Sequence, residues 1–194
     1  MNNIAIFASG SGTNAENFVN YFKDSNEVKV KLVLSNNPNA FIFKRMERLC
    51  IPTIAFANDD LKKEVVLDIL KSNMIDYIVL AGFLKLIPQI IIKEYPNKIV
   101  NIHPALLPKF GGKGMYGIKV HEAVIAAGDT ESGITIHMVN EFYDKGDIIF
   151  QAKCPVLPCD KPETLAERVH RLEYEHFPAV FYRYITGKRI DYQQ

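Results

Sequence analysis

The stretch IAIFASGSGTNAENFVNYF, residues 4–22, decides the fold. It opens with a short apolar, β-rich run over 4–8 that reads as a strand, breaks at SGSGTN over 9–14, and continues as an amphipathic helix over 14–22. Strand, glycine loop and helix in that order form the first half of a βαβ unit. The same alternation recurs downstream. Residues 28–34, 53–56, 77–81 and 99–103 read as strands, with helices expected over 40–50, 60–72 and 88–95 between them. Repeated β-then-α order predicts a doubly wound, mostly parallel α/β sheet with right-handed crossovers.

After His103 the pattern changes. A glycine-rich, proline-flanked loop over 104–117 leads to a short helix near 121–127 and strands over 134–139 and 147–152. A last helix is opened by Pro162, where a missing N–H costs little, and Leu165, Val169, Leu172, Phe177, Val180 and Tyr184 mark its buried stripe. Pro178 is expected to kink it. No repeat, linker or low-complexity segment interrupts the 194 residues, so 1–194 is expected to form one domain.

Bulk properties narrow the function classes. Lys plus Arg (23) nearly balance Asp plus Glu (22), and no basic face is clustered, so nucleic acid is not an expected partner. The longest apolar runs, such as Ile90, Ile91 and Ile92, are too short to span a bilayer, and the chain start reads directly into a strand; the expected location is cytoplasmic. Cys50, Cys154 and Cys159 form no CxxC pair and read as reduced thiols. The histidines at 121, 137, 170 and 176 have no metal-ligand spacing, so no metal site is expected.

Five features carry chemistry. In SGSGTN the glycines let the backbone turn into a helix N-terminus whose free N–H groups suit an anion. This reads as a phosphate or phosphosugar cradle, a dinucleotide site or a purely structural turn. The dinucleotide reading wants an acid after the second strand, where Ser35 and Asn36 stand. In NIHPALLP, residues 101–108, the strand period puts Asn101 and His103 on one face at a carboxyl end. An amide beside an imidazole suits acyl transfer, since both can stabilise an oxyanion and the imidazole can move a proton; a core histidine is the alternative. Asp144 lies in a turn within VNEFYDKGDII, residues 139–149, where it serves the turn or favours a nearby imidazolium. GFLKLIP, residues 82–88, is apolar enough to wall a pocket for a flat ring or to pack in the core. Glu173 sits at the edge of the last helix's buried stripe, either solvated or binding something, since a buried acid needs a partner.

Taken together, SGSGTN, LAGFLKLI (80–87), NIHPALLP and the Asp144 turn resemble the folate-dependent formyltransferases that act on glycinamide ribonucleotide, across nearly the whole chain. The resemblance implies transfer of a formyl group from 10-formyltetrahydrofolate to the amine of 5-phosphoribosyl-glycinamide in purine biosynthesis, by a monomer or homodimer. It implies Asn101, His103 and Asp144 as the catalytic set, and Gly12, Thr13, Asn14 and Glu173 as contacts to the acceptor's phosphate and ribose. For the folate it implies Lys63, where relatives often carry Arg, with Leu84, Lys85, Leu86, Ile87, Asn101, Asn140, Glu141, Phe142, Tyr143 and Asp144. One departure is KFGGKGMYGIKVHEA, residues 109–123, which is longer than in the best-known relatives and reads as a mobile flap or a surface Ω-type loop. Formyltransferases acting on methionyl-tRNA and formyltetrahydrofolate hydrolases share the catalytic set but carry additional domains, for which 194 residues leave no expected room.

Overall fold

The computed structural model describes residues 1–188; residues 189–194 of the expected domain lie outside the described residues. A seven-stranded sheet with order β3-β2-β1-β4-β5-β6-β7 organises the chain. Its parallel part comprises β1 (Asn2–Phe7), β2 (Val28–Ser35), β3 (Thr53–Ala55), β4 (Tyr77–Leu80) and β5 (Ile99–His103). Beyond β5, β6 (Glu131–Met138) and then β7 (Ile148–Pro155), which forms the edge, continue the sheet antiparallel. The doubly wound α/β fold read from the sequence is the fold observed, with each strand displaced by a few residues at most.

β1 is buried on both faces, which explains its unbroken apolar run. Ile4, Ile6 and Ala8 enter one core layer and Ala5 and Phe7 the other. The first layer is closed by α1 (Thr13–Phe22) and the C-terminal α7 (Pro162–Thr186), where Phe18 meets Phe177 and Phe181 edge-on at centroid distances of 4.7 and 5.6 Å. Each fully buried ring contributes about 1.5–3 kcal/mol relative to exposure. The second layer is closed by α4 (Glu64–Ser72) and α5 (Gln89–Glu94).

Two expected helices differ in instructive ways. The helix expected over 60–72 divides into α3 (Asn58–Lys62) and α4, because Lys63 is extended, with φ −96° and ψ 176°. In one unbroken helix Val65, four residues on, would share the face of Leu61. The break resets the phase, so that Leu61, Val66, Leu67 and Leu70 are buried and Val65 faces solvent. The last helix runs through Pro178 as one element. Pro178 has no N–H for the carbonyl of Tyr174, and that carbonyl accepts instead from Asn17 Nδ2 of α1 at 2.9 Å.

The chain winds outward from β1 to β3 and then crosses back to β4, so the strand order reverses between β1 and β4. In open α/β sheets the crevice at the carboxyl ends beside such a reversal binds ligands.

Candidate functional site

A cavity of about 700 Å³ opens at that crevice. It is lined by residues 10–14 after β1, 81–84 after β4, 101–104 at the end of β5, the loop 112–118, and Tyr143, Asp144, His170 and Glu173.

The glycine loop is held from behind. Gly12 caps α1 in the left-handed region, φ +75°, and an added Cβ would lie 2.5 Å from Ile42 Cγ1. Ser9 accepts from the Leu84 N–H at 3.1 Å and donates to Asn36 Oδ1 at 2.7 Å, tying this loop to the one after β4. Arg45, from α2 (Ile42–Arg48), donates from Nε to the Ser11 carbonyl at 2.9 Å and pairs with Glu16. A backbone braced in this way presents the first-turn N–H groups of α1 without further ordering cost, which is what an anion site requires. Substituting Gly12 by Val breaks both the backbone conformation and the Ile42 contact. The expected outcome is a rise of at least about tenfold in the apparent KM of a phosphate-bearing substrate, with that of a substrate bound elsewhere in the cavity changed much less. Equal effects on both would place no phosphate at this loop.

At the end of β5, Asn101 and His103 share a face, and antiparallel pairing sets His137 opposite Asn101 and Thr135 opposite His103. Asn101 Nδ2 donates to His137 Nε2 at 3.0 Å, and His137 Nδ1 donates to the Met138 carbonyl at 2.8 Å. His103 is nearly sealed; its Nε2 donates to the Phe110 carbonyl at 2.8 Å, and its Nδ1 lies 3.7 Å from Asp144 Oδ2.

Asp144 adopts φ +54°, tolerable for Asp, in the turn after β6. Gly146 makes this turn possible, since a Cβ there would lie 1.7 Å from the Met138 carbonyl oxygen. Asp144 Oδ2 accepts the Gly112 N–H at 2.8 Å, and Oδ1 lies 3.6 Å from His137 Nε2.

Burial pushes the Asp144 carboxyl up, but His137, His103 and the Gly112 N–H outweigh it and hold it below the usual value. For His103 the balance runs the other way. Burial pushes the imidazole down and outweighs the upward effect of Asp144. The carboxylate opposes the burial without overcoming it. The loop 109–117 supplies a backbone partner to both side chains, through the Phe110 carbonyl and the Gly112 N–H.

In the opposite half of the cavity, Glu173 is 4% exposed, and its Oε2 accepts from Asn14 Nδ2 at 2.8 Å and His170 Nδ1 at 2.7 Å. That hydrogen bond to Glu173 raises the His170 pKa against the cost of desolvation. The solvated alternative for Glu173 is thereby replaced by a buried, doubly hydrogen-bonded carboxylate.

Gly12, Thr13, Asn14, Glu173, Asn101, His103, Asp144, Leu84 and Tyr143 thus converge on one cavity. The rest of the expected folate set stands apart from its lining. In GFLKLIP, Phe83 and Ile87 pack into the second core layer while Leu84 and Leu86 face outward, so the loop is part core and part wall. Lys63, Lys85, Glu141 and Phe142 are exposed and Asn140 half-buried. Sequence reading passed over His137, Arg45, His170 and His121. Polar Thr135 and His137 alternate with Ile134 and Ile136 in β6, the strand signature of a second buried face, and this signal could have found His137. Arg45 carried none. Among the described residues no group of three or more His, Cys, Asp or Glu could hold a metal ion.

The chain belongs to the formyl transferase family, whose model matches residues 2–181. Within it, the chain is 40% identical over 184 residues to the chloroplastic phosphoribosylglycinamide formyltransferase of Arabidopsis thaliana, an alignment covering 91% of this chain and 63% of that protein. It therefore spans under two thirds of that relative's length. To the phosphoribosylglycinamide formyltransferase of Haemophilus influenzae it is 34% identical, covering 97% of this chain and 89% of the relative. The crystal structure of phosphoribosylglycinamide formyltransferase from Bacillus halodurans matches 99% of this chain and 100% of its own, with a TM-score of 0.86 and 33% identity.

Proposed function

We propose that this chain transfers the formyl group of 10-formyltetrahydrofolate to the amine of 5-phosphoribosyl-glycinamide, in purine (IMP) biosynthesis. The observation that carries the proposal is the joining, in one cavity, of Asn101, His103 and Asp144 with the helix N-terminus at Gly12, Thr13 and Asn14. The relatives' names agree with it. The acceptor's phosphate lies against the α1 N–H groups and its ribose against Glu173. The folate lies along the loop after β4, through Leu84, Lys85, Leu86 and Ile87, and along the segment Asn140, Glu141, Phe142, Tyr143 and Asp144, with Lys63 as its outermost contact.

The neutral amine attacks the formyl carbon, and the carbonyl oxygen takes up negative charge between an Asn101 N–H and protonated His103. The C–N bond to the folate then breaks, the folate nitrogen gaining a proton and the former amine losing one, with His103 as the carrier. The reading further takes residues 1–194 as one formyltransferase domain working in the cytoplasm as a monomer or homodimer, with small-molecule substrates and no metal, nucleic acid or membrane. A dinucleotide module would leave Asn101, His103 and Asp144 without a role.

The test is to mix the protein with 10-formyltetrahydrofolate and follow release of the deformylated folate with and without glycinamide ribonucleotide. Turnover that requires the ribonucleotide is expected. Release at the same rate with water alone would make the protein a hydrolase and overturn the acceptor assignment.

A further inference from the structure

Helix α6 (Ile118–Ala126) follows the glycine-rich loop and buries Val120, His121 and Val124. The two valines are core residues of the ordinary kind. His121 is 2% exposed and makes no hydrogen bond among the described residues; its Nδ1 is wholly buried without a partner. Nε2 is therefore the ring nitrogen open to the cavity that His121 lines. A buried ring nitrogen left without a partner costs about 1–3 kcal/mol, a cost an ordinary core position has no reason to carry.

The ring's surroundings indicate which part of a ligand it meets. His121 shares the lining of the cavity with His170 and Glu173 of α7 and with His103 at the end of β5. That cavity holds both the half assigned to the ribose and the half assigned to the reacting amine. In the acceptor, those two ends are joined by an amide. Resting on the acceptor reading above, we propose that His121 is a specificity residue whose open Nε2 hydrogen-bonds the amide linking the reacting amine to the sugar.

The charge state fits an uncharged ligand group. Burial, assisted by His170, pushes the His121 imidazole down to about 4, so it is neutral near pH 7 and offers a single donor and a single acceptor. That chemistry matches an amide better than a phosphate. His170, half-exposed and raised by Glu173, is the histidine suited to an anion.

Turnover by the wild-type protein with glycinamide ribonucleotide comes first, because its absence would overturn the acceptor reading and this contact with it. Given turnover, His121→Leu is expected to raise the acceptor's KM roughly 3–10-fold, the loss of one hydrogen bond. The folate's KM should stay within about twofold. His121→Gln, whose amide can reach the position of Nε2, should recover most of the loss. In the unaltered protein, long-range ¹⁵N spectra should show the His121 Nε2 resonance moving when the acceptor is added and holding still when folate alone is added. A resonance that does not respond to saturating acceptor, or a Leu variant that raises both KM values together, would make His121 a structural residue and overturn the proposal. If the Leu variant does not fold, the wild-type spectra decide alone.

Discussion

His103→Ala is expected to lower kcat by about 10²–10⁴-fold, the usual contribution of a positioned acid–base group. The geometry supplies two reasons. His103 is the titratable side chain at the carboxyl end of β5 whose Nδ1 approaches Asp144 Oδ2, at 3.7 Å, just beyond a normal hydrogen bond. That pairing tightens if Nδ1 gains a proton. His103 also holds the loop over the site, since its Nε2 donates to the Phe110 carbonyl at 2.8 Å, and truncation leaves that carbonyl unpaired. A loss of activity in the Ala variant alone could therefore reflect a displaced loop. His103→Gln separates the two effects, because a Gln amide can keep a donor near Phe110 but cannot carry a proton near neutral pH. Both variants should be inactive to a similar degree with folded-state circular dichroism unchanged. Recovery of more than about a tenth of wild-type kcat by Gln would assign His103 to loop positioning and remove it from the chemistry.

The sheet, and the strand face that carries Asn101 and His103, were legible in the sequence, for a common physical reason. Strands buried on both faces write themselves as continuous apolar runs, as in β1, and a strand's period of two puts Asn101 and His103 together with no knowledge of the tertiary fold. What sequence could not supply was contact between distant segments. Asp144 reaches His103 because β6 pairs antiparallel with β5 and Gly146 folds the following turn against Met138. Neither is a local property of the turn itself. The same limit explains Arg45, whose bond to the Ser11 carbonyl joins residues 34 apart in the chain. It explains the net charge preference of His103 as well. Proximity to an acid was readable as an upward influence, but the larger downward effect comes from burial among residues that the sequence does not rank by depth.

Asp144→Asn tests the electrostatic link between those residues. The Asp144 carboxyl sits below its usual value, so it is ionised throughout the neutral range. Asn keeps an acceptor oxygen for the Gly112 N–H and tolerates the left-handed backbone, so the loop contact and the turn should survive. The substitution removes only the charge. In His103 that charge is the largest influence opposing burial, so its loss lowers an imidazole pKa that is already depressed. If the protonated imidazole stabilises the oxyanion, a lower pKa means a smaller active fraction at every pH above it. The alkaline limb of the rate profile should then move to lower pH. The rate deficit should be smallest below the variant's imidazole pKa, widen as pH rises through the two pKa values and level off above the wild-type one. The His103 resonance, followed by NMR, should titrate at lower pH in the variant, in step with the limb. A deficit that is the same at every pH, with the limb unmoved, would show that Asp144 acts by orientation alone and that the charge of His103 does not depend on it.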